Sequence, residues 1–254
     1  MGGFEGILRR AELPESGEDA ARDAAAYPYA LPCVRRIGEI EFHPRVTFLI
    51  GENGSGKSTV VEALAVALGM NPEGGGRNFN FSTRDSHSVL GRELRLVRPA
   101  RKARDTYFLR AESFYNVASE IDRLGVKKAY GGRSLHTRSH GESFLDLMLH
   151  RFGDGGLYLL DEPESALSPS RQLAALRVIE DLSSRGSQFI IATHSPLMMA
   201  YPNAWIYEFT SEGPERVGFE STEHYAVTRW FLMHPERAFG ELLADDEGDG
   251  ASGA

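Results

Sequence analysis

The 254-residue chain has one cysteine, Cys33, so no internal disulfide can form; inert packing in a reducing cytoplasm is the role expected of that thiol. No apolar run approaches the roughly 18 residues needed to span a bilayer, so the chain is expected to meet a membrane only through a partner subunit. The N-terminus lacks a basic stretch followed by an apolar one, which argues against a secretory signal. Internal repeats and sustained heptads are also missing, which excludes a solenoid and a long coiled coil. Nor is there an excess of positive charge: 28 Lys and Arg stand against 36 Asp and Glu, a formal net charge of −8. Five of the acids (Glu241, Asp245, Asp246, Glu247, Asp249) follow residue 240, so the body is nearly neutral, and overall charge argues neither for nor against nucleic acid. The 41% hydrophobic and 25% charged composition is ordinary for a globular protein whose length suits one large domain or two small ones.

Against this plain background one stretch stands out, Gly51-Glu52-Asn53-Gly54-Ser55-Gly56-Lys57-Ser58-Thr59, between the apolar run 46–50 and a helix-like stretch 60–68. Glycines at 51, 54 and 56 allow backbone conformations closed to other residues, so successive N–H groups can converge on phosphate oxygens. A helix beginning near Lys57 adds its positive end. Lys57 is expected to reach the β and γ phosphates, Ser58 to ligate Mg²⁺, and Thr59 to touch the α phosphate. A nucleoside triphosphate, ATP, with Mg²⁺ is the expected ligand.

Leu157-Tyr158-Leu159-Leu160 and Gln188-Phe189-Ile190-Ile191-Ala192 read as strands buried on both faces, with an amphipathic helix over 170–184 between them. Such alternation predicts an α/β fold with a mainly parallel sheet flanked by helices and ligands at the strands' C-terminal ends. Asp161 and Glu162 close the first of these strands: Asp161 is placed to hold Mg²⁺ and Glu162 to orient or deprotonate a water attacking the γ phosphate. His194, in Thr193-His194-Ser195 after the second strand, is placed to hydrogen-bond the γ phosphate.

Elsewhere, residues 1–26 read as a flexible arm and 27–243 as a single domain, with strands at 34–42 and 46–50, the second ending at the phosphate loop, and an antiparallel β part near the N-terminus. Within it, 78–138 reads as a variable helical subdomain: a short helix at 88–97, a strand at 106–110, a helix at 113–124 and a loop at 130–132. A helix at 141–152 has Phe144, Leu145, Met148, Leu149 and Phe152 spaced for one buried face. Residues 204–209 and 215–219 read as an edge pair, 224–233 as a closing helix, and 244–254 as a disordered acidic tail.

The series of phosphate loop, Ser139-His140-Gly141-Glu142-Ser143, the segment 157–163, Ser165-Ala166-Leu167-Ser168 and Thr193-His194-Ser195 resembles the ABC-type ATPases. It covers roughly 30–210 in the order Walker A, signature, Walker B, D-loop and switch histidine. Asp161-Glu162-Pro163-Glu164 with Ala166-Leu167 is more similar to the RecF, SMC and OLD-like branch, and the whole chain resembles the small stand-alone ATPases often called AAA family. The resemblance implies hydrolysis of ATP by a homodimer with two nucleotides sandwiched between its subunits, each signature helix, through Ser139, Gly141 and Glu142, meeting the partner's γ phosphate. This chain departs from the pattern at Glu142, where an acid stands near phosphate. It has no glutamine between 59 and 171, leaving Asn80 and Ser82 as replacements for a Mg²⁺-linked glutamine. Tyr27 and Tyr29 are the candidates for stacking on adenine.

Arg92, Arg95, Arg98, Arg101, Lys102, Arg104 and Arg110 form a basic stretch opposed by Glu93 and Asp105, able to track nucleic-acid phosphates or to stand as a solvated face. An ATP-gated clamp on nucleic acid or a partner protein, in DNA maintenance or phage defence, is the first expectation. A transporter's nucleotide-binding subunit with a separate permease is the second, and a scaffold with little turnover the third.

Overall fold

The apolar runs at 46–50, 157–161 and 188–192 lie at the centre of the fold, because a strand apolar on both faces must be covered on both. The computed structural model of the chain describes residues 6–14, 26–76, 88–125 and 140–248. In chain order its elements are β1 (Arg10–Glu12), α1 (Pro32–Arg35), β2 (Glu39–Glu41), β3 (Val46–Ile50), α2 (Lys57–Ala67), α3 (Ser88–Glu93), β4 (Arg95–Val97), β5 (Thr106–Arg110) and α4 (Phe114–Arg123). They continue with α5 (His140–Arg151), β6 (Leu157–Asp161), α6 (Pro169–Ser184), β7 (Gln188–Ala192), α7 (Pro196–Met199), β8 (Trp205–Thr210), β9 (Gly213–Val217), α8 (Glu223–Met233) and α9 (Pro235–Gly248).

Six strands form the main sheet in the order β5-β6-β7-β3-β8-β9, parallel except for β9, which runs antiparallel to β8. All five residues of β3, β6 and β7 are buried. Their alternation splits the core into two layers. Phe48, Tyr158, Leu160, Phe189 and Ile191 pack with α4, α5 and α6, whereas Leu49, Leu159, Ile190 and Ala192 pack with α2 and a second, three-stranded sheet. That smaller sheet is antiparallel, in the order β2-β1-β4.

Several expectations are corrected here. Residues 6–14 belong to the fold instead of a flexible arm: β1 is the middle strand of the small sheet, and Ile7, Leu8, Ala11 and Leu13 are buried. The reason is Gln188, fully buried at the start of β7. Its Oε1 accepts from the Ile7 and Leu8 amides at 2.8 and 2.7 Å, and its Nε2 donates to the Leu8 and His43 carbonyls. The stretch 34–42 is not one strand; Pro32 opens the short α1 and the chain extends again at Glu39. Residues 88–97 divide into α3 and β4, while β5 is the edge of the main sheet, so the described part of 78–138 is no separate subdomain. Leu149 is 54% exposed and Leu147 takes the buried position on α5. Finally, α9 carries helix to Gly248, past the expected break at 243. The loop expected at 130–132 lies outside the described residues.

Candidate active site at the strand ends

Each parallel strand delivers a residue to the same edge of the sheet. β3 ends at Ile50 and turns through Gly51 at φ +134°, where an added Cβ would stand 2.6 Å from the Phe209 carbonyl oxygen of β8. Only glycine lets the loop leave the strand there. Gly56, also left-handed, precedes α2, whose first residue is Lys57. Lys57 is 3% exposed, and its Nζ donates to the Gly51 and Glu52 carbonyls at 2.9 and 2.7 Å, so the ammonium sits in its own loop. Burial lowers the Lys57 pKa, opposed by the Glu162, Asp161 and Glu164 carboxylates.

Ser58 Oγ donates to Asp161 Oδ1 at 2.9 Å, joining the loop to the end of β6. The other carboxylate oxygen of Asp161 faces Arg110 Nε at 3.0 Å, and the same guanidinium donates from Nη1 to Glu62 Oε2 on α2 at 2.9 Å. Register explains the meeting, since Arg110 of β5 is paired directly with Asp161. Asp161 and Glu62 are 3% and 4% exposed as side chains. Burial raises the Asp161 pKa against the pull of Arg110 and Ser58, and pushes Glu62 up to about 7 despite Arg110. Arg110 therefore belongs to this site and not to a nucleic-acid surface.

Glu162 takes the left-handed conformation at φ +49° and ψ +51°, a strained state for a side-chain-bearing residue that recurs at functional sites. Its Oε1 lies 3.8 Å from His194 Nε2. The His194 amide donates to Glu164 Oε1, a buried carboxylate whose pKa is raised by that burial. Burial, then Lys57, lowers the His194 pKa, keeping the ring neutral near pH 7. Ser195 Oγ donates to Gln172 Oε1 at 2.6 Å, which ties the end of β7 to α6.

The oxygen donors Ser58 and Asp161 suit Mg²⁺, which takes one or two protein ligands together with phosphate and water. Among the described residues no three His, Cys, Asp or Glu side chains cluster to hold a metal alone. Beside the loop, a cleft of 570 Å³ opens between residues 51–55, the end of β8 and His224. Tyr27 is 52% exposed with its hydroxyl 3.1 Å from Thr59 Oγ1, whereas Tyr29 is 4% exposed in the core. Of the two adenine candidates, Tyr27 alone has a face to offer.

Ser139, Asn80 and Ser82 lie outside the described residues. Gly141 is buried on α5, and an added Cβ would stand 2.6 Å from the Ala166 carbonyl oxygen, which gives this glycine a packing role within its own chain. Glu142 is exposed and ion-paired with Arg171 of α6 at 3.0 Å, so a cation accompanies the unexpected acid. The basic residues Arg98, Arg101 and Lys102 line a second cavity, of 490 Å³, beside Thr106 and Leu157, the first residues of β5 and β6. It is at the opposite end of the sheet from Asp161. Arg92, Arg95 and Arg104 are exposed.

The roles of Arg110, Glu62, Gln172 and His224 were not apparent from the sequence, because each depends on strand register or on a distant helix. Only the acids of 161–164 share a local motif.

Two family profiles match the chain: one described as "AAA domain" over residues 33–135, the other as "AAA domain, putative AbiEii toxin, Type IV TA system" over 143–200. Among curated proteins, the arabinose import ATP-binding protein AraG of Ralstonia nicotianae is 27% identical over 64% of this chain and 36% of its own length. The zinc import ATP-binding protein ZnuC of Cereibacter sphaeroides is 31% identical over 59% of this chain and 61% of its own. The chain thus spans less than two thirds of these relatives. Among solved structures, an SMC head domain from Thermotoga maritima aligns with 16% identity over 83% of this chain and 98% of that one, at a TM-score of 0.43. With a glycine-rich loop between β3 and α2, an acid pair ending β6 and AAA-domain matches on both halves, the chain has a P-loop α/β fold and is similar to AAA-domain and ABC-type ATP-binding proteins.

Proposed function

We propose that this chain is an ABC-type ATPase that depends on Mg²⁺, works as a homodimer closed on two ATP molecules, and serves as a nucleotide-gated clamp or switch in the cytoplasm. The observation that carries the reading is the 2.9 Å contact between Ser58 and Asp161, which brings the loop and the acid pair to one point. Backbone N–H groups of 51–56 and the Lys57 ammonium would bind the phosphates, with Lys57 exchanging its carbonyl partners for phosphate oxygens. Ser58 and Asp161 would hold Mg²⁺, which when bound neutralises charge developing on the phosphoryl oxygens. Glu162 would orient and deprotonate the attacking water, and His194 would donate to the γ phosphate. Glu142 with Arg171 and the preceding Ser139 would form the partner-facing surface.

Glu162→Gln tests this reading: ATP binding should persist, turnover should fall by about 10²-fold or more, and an ATP-bound dimer should accumulate, measured by phosphate release and light scattering. Turnover at the wild-type rate would remove the role of Glu162. Lys57→Ala should abolish binding.

For the process served, the description of the second matched profile favours defence, and the cations around the 490 Å³ cavity offer a surface for nucleic acid. Affinity for DNA against salt, in wild type and an Arg98/Arg101/Arg104 triple alanine variant, decides this: equal and negligible binding by both removes nucleic acid as a partner. The names of the import ATP-binding relatives favour a second reading, a nucleotide-binding subunit working with a separate permease. Among the described residues no helix is long and apolar enough to cross a membrane, so that reading needs co-purification of a membrane partner.

A further inference from the structure

We propose that His224, at the start of α8, fixes the tautomer of His194 and so makes His194 Nε2 a hydrogen-bond donor aimed into the site. His224 Nε2 lies 3.5 Å from His194 Nδ1, at the long end of hydrogen-bond reach, with ring centroids 5.7 Å apart and planes at 43°. Hydrogen bonds in catalytic sites are often this long without ligand and shorten in the complex. The two outer nitrogens, His194 Nε2 and His224 Nδ1, are buried and have no hydrogen-bond partner among the described residues.

A hydrogen bond between two imidazole rings needs a proton on one nitrogen and a lone pair on the other. If His194 Nδ1 carried the proton, its bare Nε2 would turn a lone pair toward Glu162 Oε1, 3.8 Å away, and toward any phosphate on the loop. Both are anionic, so that arrangement is repulsive. If His224 Nε2 carries the proton and donates it to His194 Nδ1, His194 keeps its own proton on Nε2, facing the carboxylate. The unpaired atom left over is then His224 Nδ1, a bare acceptor. Charge thus selects the second arrangement, as an outer partner does for a metal-bound or catalytic histidine.

The fold holds His224 firmly. Thr222, fully buried, caps α8 by accepting from the Tyr225 amide at 3.2 Å and donating to the Phe219 carbonyl at 2.8 Å. His224 therefore enters the first helical turn in a fixed orientation, beside the cleft it shares with residues 51–55. It is a positioning residue, acting through His194.

The tautomer can be read without turnover, so its failure is distinguishable from failure of the ATPase reading on which the kinetic consequence rests. Protein labelled with ¹⁵N-histidine, with His194→Ala to assign the signals, should give a long-range ¹H–¹⁵N pattern of the Nε2–H tautomer for His194. His224→Phe, which keeps ring volume without the donor, should convert that signal to a mixture and lower kcat about tenfold at unchanged KM for ATP. His224→Gln, whose amide can donate in place of Nε2, should restore both. A wild-type His194 in the Nδ1–H form overturns the proposal even if the Phe variant is unstable. So does a His224→Phe protein with an unchanged His194 signal.

Discussion

Arg110 Nε lies 3.0 Å from Asp161 Oδ2 while its Nη1 holds Glu62 at 2.9 Å, so one guanidinium compensates two nearly buried carboxylates from neighbouring elements. Removing it would take a close counter-charge from both acids at once, and breaking a buried pair costs about 3–5 kcal/mol. Arg110→Met should therefore destabilise the protein by about that amount in urea unfolding. Pairing it with Glu62→Gln should recover at least half, because only Asp161 then needs the lost cation. Equal stability of the single and double variants would show that Arg110 is not the compensating charge.

Glu62 also sets a pH dependence. Its folded pKa, about 7, lies above the usual carboxylate value of 4.5 because burial disfavours the anion. The native state thus binds a proton more tightly than the unfolded chain. The stability this confers is complete below pH 4.5 and lost as pH rises toward 7, by on the order of 3 kcal/mol. Unfolding free energies measured between pH 4.5 and 7.5 should fall more steeply for wild type than for Glu62→Gln, and the two curves should run parallel above pH 7.5.

Gln188 supports the N-terminal segment through three hydrogen bonds to the Ile7 and Leu8 backbone, with a fourth to the His43 carbonyl. Gln188→Leu keeps the volume but leaves the buried amides of Ile7 and Leu8 unpaired, at about 1–3 kcal/mol each. The variant should lose about 3 kcal/mol of stability, and amide exchange at residues 6–14 should quicken well before that of β3. Unchanged protection there would mean that β1 is held by its strand partners alone.

The contrast between β3 and β1 explains what was legible in the sequence. β3, β6, β7 and the loop after Ile50 carry their information locally, as unbroken apolar runs and a glycine spacing with one physical purpose. Residues 6–14 carry almost none: three residues of strand, fixed by a glutamine 180 positions away, look like an arm. Arg110 was hidden for a related reason. In the sequence it adjoins a run of cations, whereas in the sheet its register opposite Asp161 removes it from that group. His224 likewise sits 30 residues beyond His194 and meets it through the fold.

Tyr27 and Tyr29 differ by two positions and by environment, which separates binding from stability. Tyr27→Ala removes an exposed ring beside Thr59 and should weaken ATP binding about tenfold, the scale of base stacking, with unfolding unchanged. Tyr29→Ala opens the core and should cost about 3–5 kcal/mol of stability. Titration with a fluorescent ATP analogue beside thermal melts checks both; weakened binding by Tyr29→Ala without destabilisation would reverse the assignment.

Glu142 and Arg171 make the last case, where a local pair bears on assembly. An acid on the first turn of α5 would repel the phosphates of a nucleotide held by a second subunit, yet Arg171 Nη2 stands 3.0 Å from its carboxylate. Both side chains are partly exposed, so the pair itself contributes at most about 1 kcal/mol to folding, and Arg171→Ala should melt close to wild type. Its effect should appear in the dimer, where Glu142 would face the partner's nucleotide without the Arg171 guanidinium beside it. In the Glu162→Gln background, Arg171→Ala should therefore weaken ATP-driven dimerisation roughly tenfold, as a like-charge contact does. Adding Glu142→Gln should restore it. If sedimentation shows equal dimerisation in all three backgrounds, the first turn of α5 does not face the partner's phosphates.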